Sequence, residues 1–245
     1  PIPMNKPSVL ERIRIVLSPT THPGNIGAAA RAMKTMGLSR LVLINPERFP
    51  HAEAETFATG ANDLLESALV CDTLDEALTG TVLAVASTAR HRDLAHEVVD
   101  CREASRRLVA AAVTGEVALV FGTERAGLTA SEVSRCQSIA IIPTSWTYSS
   151  LNLAQAVQVF AYELRMTAVG AQSYAQHASD LATHDEVEGF YAQLEDAFYA
   201  TGFLDPKEPK RLMQRMRRMF ARARVEKTEV NILRGFLSAI KSKVE

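Results

Sequence analysis

Residues 116–129 read EVALVFGTERAGLT, from Glu116 to Thr129. Val117–Phe121 is a continuous apolar run, the pattern of a strand in a parallel sheet covered on both faces. It runs into Gly122 and Gly127, which flank the pair Glu124–Arg125. Glycine lets a backbone approach a ligand closely. Thr129-x-x-Glu132 then fits a capping box that opens a helix. A buried strand thus hands over to a helix through a loop of small and charged residues. The same residues also fit an ordinary loop with a surface ion pair, worth little.

Similar runs lie on either side, at Ile13–Leu17, Leu41–Ile44, Ala68–Val70, Val82–Ala86 and Ile139–Ile142. Helical patterns separate them. Thr73-x-x-Glu76 fits another capping box. Ile26, Ala30 and Met33 share one helical face and Gly37 fits a helix stop. Leu153, Val157, Phe160 and Leu164 mark a long amphipathic helix over Leu151–Val169. The alternation predicts an α/β fold with a largely parallel sheet over residues 1–169.

Composition changes after Gly170. Residues 170–183 are small and polar and read as a linker; residues 184–245 show only helical periodicity and read as a small all-α domain. Thr183-x-x-Glu186 is a third capping box, opening a helix with Val187, Tyr191, Leu194 and Phe198 inward. Asp205-Pro206 and Glu208-Pro209 break it, and Arg211–Arg224 and a segment through Val230, Leu233, Leu237, Ile240 and Val244 give two more helices. Charge is sorted here: acidic residues dominate Asp180–Asp205, basic ones Lys207–Arg224. Arg211, Arg215, Arg218 and Arg222 form one helical stripe. It fits a solvated face, a helix paired with the acidic one, or a surface that tracks phosphates.

The chain has 245 residues, 47% of them hydrophobic, so a core can be buried and a folded rather than disordered chain is expected. A net charge of −1 leaves nucleic-acid binding to local clusters. Cys71, Cys101 and Cys136 have neither disulfide-framework nor zinc spacing, and His22, His51, His91 and His96 have no metal-ligand spacing, so no metal site is read. No apolar run is long enough to span a membrane. Residues 1–8 carry no signal core, and a cytoplasmic location is expected.

Two further segments place polar residues at a strand-to-helix junction. Thr21–Arg31 passes through a Pro-Gly turn into a helix start whose free N–H groups favour an anion; it is neither a Walker loop nor the Gly-x-Gly-x-x-Gly of a dinucleotide fold. A surface arginine on a glycine-led helix is the plainer alternative for Arg31. Ile142–Leu153 ends a strand at Pro143, sets five serines and threonines around the only tryptophan, Trp146, and opens the long helix near Asn152. Its hydroxyls fit an adenosine or a carboxylate, or simple N-capping by Ser149 or Ser150.

Taken together, Asn25-x-Gly27-x-x-x-Arg31, Phe121-Gly122-x-Glu124-x-x-Gly127-Leu128 and Ser149-Ser150-Leu151-Asn152-Leu153 resemble, in order and spacing, the three motifs of the SpoU/TrmH branch of the SPOUT RNA methyltransferases. Ala30–Leu38 and the tail from Lys210 to Ile240 resemble the TrmJ type within it, so the resemblance covers nearly the whole chain. Thr144–Thr147 departs in a stretch that varies in that group, which bears on loop contacts and not on the chemistry.

The resemblance implies an α/β-knot fold with a C-terminal trefoil knot, which nothing in the periodicity predicts. It implies S-adenosylmethionine as cofactor and transfer of its methyl group to a ribose 2′-hydroxyl. The substrate would be tRNA, at the first nucleotide of the anticodon loop; rRNA methylation and a non-catalytic RNA-binding role are the alternatives. It implies a homodimer whose sites are completed across the interface, built largely from Leu151–Val169 and the Gly24–Met36 helix. Arg31 would be the main catalytic residue, with Asn25 and Glu124 nearby and Ser150 and Asn152 holding substrate or arginine. Backbone groups at Ser87, Thr88, Ala89, Gly122, Ile142, Ser149, Ser150 and Leu151 would hold the cofactor. Arg211, Arg215, Arg218 and Arg222 would bind RNA. Arginine stays protonated at neutral pH, so Arg31 would stabilise a developing 2′-oxyanion or sit beside a phosphate that takes the proton.

Overall fold

Alternate residues of the central strands face opposite layers, as the period of an extended chain requires. The computed structural model describes residues 9–89, 97–145, 147–170, 180–205 and 211–244. In chain order its core comprises β1 (Ile13–Leu17), α1 (Pro23–Met36), β2 (Arg40–Ile44), α2 (Ala52–Ala58), α3 (Asn62–Glu66), β3 (Leu69–Cys71), α4 (Leu74–Leu78), β4 (Thr81–Ser87), β5 (Val98–Asp100), α5 (Cys101–Ala111), β6 (Glu116–Phe121), α6 (Ala130–Ser134), β7 (Ser138–Ile141) and α7 (Leu153–Gly170). The tail comprises α8 (His184–Ala200), α9 (Leu212–Ala223) and α10 (Lys227–Val244).

The strands form one sheet in the order β3-β2-β1-β6-β4-β7-β5, and every ladder in it is parallel. Ile13, Ile15 and Leu17 point into a layer with Ile26 and Met33 of α1, Leu108 of α5, and Phe160 and Leu164 of α7. Val16, Val42 and Val120 point into the other layer, against Leu74 and Leu78 of α4 and Val133 of α6. The Phe121 ring meets the edge of Phe160 at 5.6 Å between centroids.

The apolar runs anticipate six strands to within about two residues of their ends. β5 is a difference: Val98–Asp100 is three residues long and shows no periodicity. α2 and α3 are too short to show a full apolar period. α5 is a further difference, although Cys101, Ala104, Leu108 and Val109 share its buried face and it starts where Asp100 accepts a hydrogen bond from the Glu103 amide at 2.7 Å. The boxes at Thr129 and Thr183 close in both directions. At Thr73 only half forms, because the Glu76 carboxylate takes the Asp72 amide instead. All three cysteines are buried and unpaired, and burial pushes the Cys136 thiol up to about 12.

α1 lies unusually close to α2. A Cβ on Gly27 would sit 2.0 Å from the Ala54 carbonyl oxygen, so only glycine permits that approach. Lys34, one turn past Arg31, extends the same contact by bridging to the Gly60 carbonyl and Asp63.

The tail has its own core of Phe190, Tyr191, Leu194, Val230 and Leu237, with Phe220 edge-on to Phe190. It also docks on the sheet. Leu181 is buried with the first layer of the core, although it falls within the span read as linker; residues 171–179 of that span lie outside the described residues. Asp185 accepts from the Gly80 amide at 3.1 Å. His184, 3% exposed, places Nε2 3.5 Å from Asp75, which Arg135 also binds at 2.7 Å. These contacts lie at the amino end of β4. The breaks at Pro206 and Pro209 lie outside the described residues.

Candidate active site

The carboxyl ends of β4, β6 and β7 converge with the start of α7. Between them lies a cleft enclosing ≈ 780 Å³ of non-atom space, open to solvent. β4 contributes Ser87, Thr88 and Ala89. The loop after β6 contributes Gly122 to Arg125, β7 leads to Ile142, and the approach to α7 adds Ser149, Ser150 and Leu151. All eight residues assigned to the cofactor therefore line one cavity, together with Glu124. Phe121, Leu153 and Ala156 supply apolar wall and Thr123 a further hydroxyl, none of them assigned to the site from the sequence. Phe121, Thr123 and Leu153 lie inside the motifs, and Ala156 is about one helical turn beyond Leu153.

The loop after β6 owes its shape to Gly122. A Cβ there would fall 2.1 Å from the Gly127 carbonyl carbon and the Leu128 nitrogen. The loop folds back over Gly122, closed by the Gly127 amide donating to the Thr123 carbonyl at 2.9 Å, with Gly127 at φ 67°. The turn brings Glu124 to the lip of the cleft.

Glu124 is held by a relay from distant parts of the chain. The Asn152 side-chain amide donates to Asn25 Oδ1 at 2.9 Å, and the Asn25 amide donates to Glu124 Oε1 at 2.9 Å. Asn152 Oδ1 accepts from the Ala154 amide, which caps α7. The second Glu124 oxygen accepts from the Thr21 amide at 3.4 Å. The acid that meets the start of α1 is thus the chain's own Glu124, a sign that suits the positive end of a helix. Asn25, Glu124 and Asn152 form one hydrogen-bonded unit, with Ser150 on the adjoining wall.

Arg31 is not brought into this cleft. It is exposed, six residues after Asn25 along α1, hence about 9 Å along the axis and on another face. Among the described residues it makes no hydrogen bond or ion pair. In the tail, Arg211, Arg215 and Arg222 are exposed and Arg218 is half-buried. Arg217, one position off that stripe, binds Glu188 with both terminal nitrogens and lies 4.4 Å above the Tyr191 ring. The pairing of the basic with the acidic helix runs through Arg217 and leaves Arg211, Arg215 and Arg222 to solvent. Trp146, Arg90, His91 and His96 lie outside the described residues. Among the described residues no group of three His, Cys, Asp or Glu side chains is placed to hold a metal ion, and no helix is long and apolar enough to cross a membrane.

A parallel sheet between helical layers with a cleft at the carboxyl ends of its strands is an open α/β fold of the kind that binds its ligand there. The chain belongs to the SpoU rRNA Methylase family, whose profile matches residues 12–162. Residues 185–245 match the C-terminal domain of the tRNA methyltransferase TrmJ. The chain is 49% identical over 241 residues to the tRNA (cytidine/uridine/adenosine-2′-O-)-methyltransferase TrmJ of Pseudomonas aeruginosa (strain UCBPP-PA14), covering 94% of each chain. It is 46% identical over 239 residues to the tRNA (cytidine/uridine-2′-O-)-methyltransferase TrmJ of Escherichia coli (strain K12), covering 96% of this chain and 97% of the other. The crystal structure of TrmJ from Z. mobilis ZM4 superposes with a TM-score of 0.81 at 31% identity, covering 94% of this chain and 98% of that one.

Proposed function

We propose that this protein transfers a methyl group from S-adenosylmethionine to a ribose 2′-hydroxyl of tRNA, at the first nucleotide of the anticodon loop. One observation carries the reading: residues of the second and third motifs line a single cleft with the end of β4, and Asn25 of the first motif joins Glu124 and Asn152 in a relay beside it. The cleft fits the cofactor in chemistry: its apolar wall suits a flat base, and its hydroxyls and strand-end backbone groups suit a ribose and an amino-acid end. The folded-back loop at Gly122 is consistent with a trefoil knot around it.

Bound there, S-adenosylmethionine supplies a methyl group already activated on a sulfonium. The chain's own residues must align the ribose oxygen with it and help remove one proton. Ser87–Ala89, Gly122, Ile142 and Ser149–Leu151 hold the cofactor. The two asparagines fix the Glu124 carboxylate at the lip, where it orients a hydroxyl or a guanidinium. Arg31 stabilises the oxyanion that develops as the proton leaves, or holds the RNA phosphate that accepts it. Because Arg31 lies outside its own cleft, it is supplied by a second copy of the chain. A homodimer is supported by the α7 face, where Tyr162, Met166 and Val169 are exposed at helical spacing. The reading places the protein in the cytoplasm with its substrate.

The test is incubation with labelled S-adenosylmethionine and either bulk tRNA or rRNA, followed by nucleoside mass spectrometry. A 2′-O-methylated nucleoside from tRNA is expected. Label confined to rRNA would move the assignment to the ribosome, and no transfer to either would overturn it.

The same reading makes Arg211, Arg215, Arg218 and Arg222 a phosphate-tracking surface. Changing Arg211, Arg215 and Arg222 to alanine together is expected to weaken tRNA binding about 10-fold or more and to flatten the log–log salt dependence by about 2–3. Cofactor affinity should stay unchanged. Filter binding across a salt series reads this out, and an unaltered slope would leave the stripe as a solvated face.

A further inference from the structure

Tyr148 sits between β7 and α7, directly before the cleft residues Ser149–Leu151, and is 79% exposed. Contacts with Ser145 hold its backbone there. Ser145 and Tyr148 form an antiparallel bridge, the Tyr148 amide donates to the Ser145 carbonyl at 3.3 Å, and Ser145 Oγ lies 2.9 Å from Thr147 Oγ1. Thr144 Oγ1 donates to the Ser149 carbonyl, tying the turn to the cleft wall. The chain thus presents an aromatic ring to water directly before the residues that line the cleft wall.

We infer that the Tyr148 ring is the stacking platform for the base of the nucleotide being methylated. The inference rests on the RNA-methylation reading above. A ribose 2′-hydroxyl reaches a cleft of this kind only if its nucleotide leaves the stack of its neighbours, and the base then lacks a partner face. An aromatic ring at the lip restores that face. Stacking is tolerant of base identity, because every base presents a π surface. Tyr148 is therefore a positioning residue for the substrate, and it acts on pyrimidines and purines alike.

The experiment uses the full chain and four tRNA transcripts that differ only at the methylated nucleotide, with a fifth that is abasic there. Tyr148→Ala is expected to lower kcat/KM about 10- to 100-fold on all four, with S-adenosylmethionine affinity by calorimetry within about twofold of the unaltered protein. Tyr148→Phe keeps the ring and should stay within about threefold. On the abasic transcript the unaltered protein should fall to the level of Tyr148→Ala, and Tyr148→Ala should lose nothing more. The inference is overturned if Tyr148→Ala turns over normally, if Tyr148→Phe is as poor as Tyr148→Ala, if cofactor binding is lost with the ring, or if both proteins lose equally on the abasic RNA. Failure of the unaltered protein to methylate any tRNA is a different result, and it removes the proposed function as well.

Discussion

Arg31→Ala is expected to lower the methylation rate by about 10²- to 10³-fold while S-adenosylmethionine affinity changes by no more than about twofold. The reason is the separation seen in the single chain. Every residue assigned to the cofactor lines the cleft, whereas Arg31 lies outside it, exposed on α1. Removing its side chain leaves the cleft, the Gly122 loop and the Asn152–Asn25–Glu124 relay in place. On the proposed role, what is lost is a fixed positive charge that acts as the 2′-oxygen becomes anionic, so kcat should fall while ground-state binding of the cofactor should not. Arg31→Lys restores charge but not the planar fork and should recover only part of the rate. Single-turnover methylation together with calorimetry separates these effects. Near-normal turnover of Arg31→Ala would remove the residue from the chemistry.

Gly122→Ala should have the opposite signature. The added Cβ would meet backbone atoms of Gly127 and Leu128 at 2.1 Å, and neither is the movable end of a side chain. The loop carrying Glu124 must shift, so the cleft loses its shape before any chemistry begins. Overpacking of this kind costs about 1–3 kcal/mol, which lowers Tm by about 2–4 °C per kcal/mol in a chain of this size. Cofactor affinity is expected to fall about 100-fold, the cost of a misplaced site wall. Gly189→Ala is the control: it sits within α8, and an added Cβ there meets only the tip of Arg234 at 3.8 Å. That variant should bind cofactor normally. Equal behaviour of the two variants would show that the folded-back loop is not what shapes the cleft.

Much of this arrangement is legible in the residues, for identifiable reasons. A strand buried on both faces must be apolar throughout, so Val117–Phe121 and its neighbours declare themselves. Capping boxes are local, so Thr129 and Thr183 do as well. β5 does not, because three residues on a sheet edge carry no period. The motif residues were assigned through their resemblance to a family; what could not be read was how they meet. Asn25, Glu124 and Asn152 join only because β1 and β6 are neighbours and α7 returns beside α1, which is a property of topology. The solvent-facing direction of Arg31 is equally invisible to motif spacing. In the tail, a shift of one residue decides the pairing: Arg217 binds Glu188 and stacks on Tyr191, while Arg215 and Arg222 of the stripe stay exposed and Arg218 is half-buried. The docking of His184 and Asp185 on α4 and the start of β4 links residues too far apart in sequence for any local pattern to reveal.

The position of β6 has a kinetic consequence. β1, β2 and β3 can pair as soon as they leave the ribosome, but β4 has only β6 and β7 as neighbours, and both are made later. β4 must therefore wait, with two unsatisfied edges, until Glu116–Phe121 slides between it and β1. Assembly of the sheet is governed by the arrival of that one segment, and long-range parallel pairing of this sort places folding at the slow end for its size. During the wait the apolar edges of β1 and β4 are open to wrong partners. Rapid synthesis or heat during expression should therefore cost yield through aggregation of half-finished chains rather than through melting of finished ones.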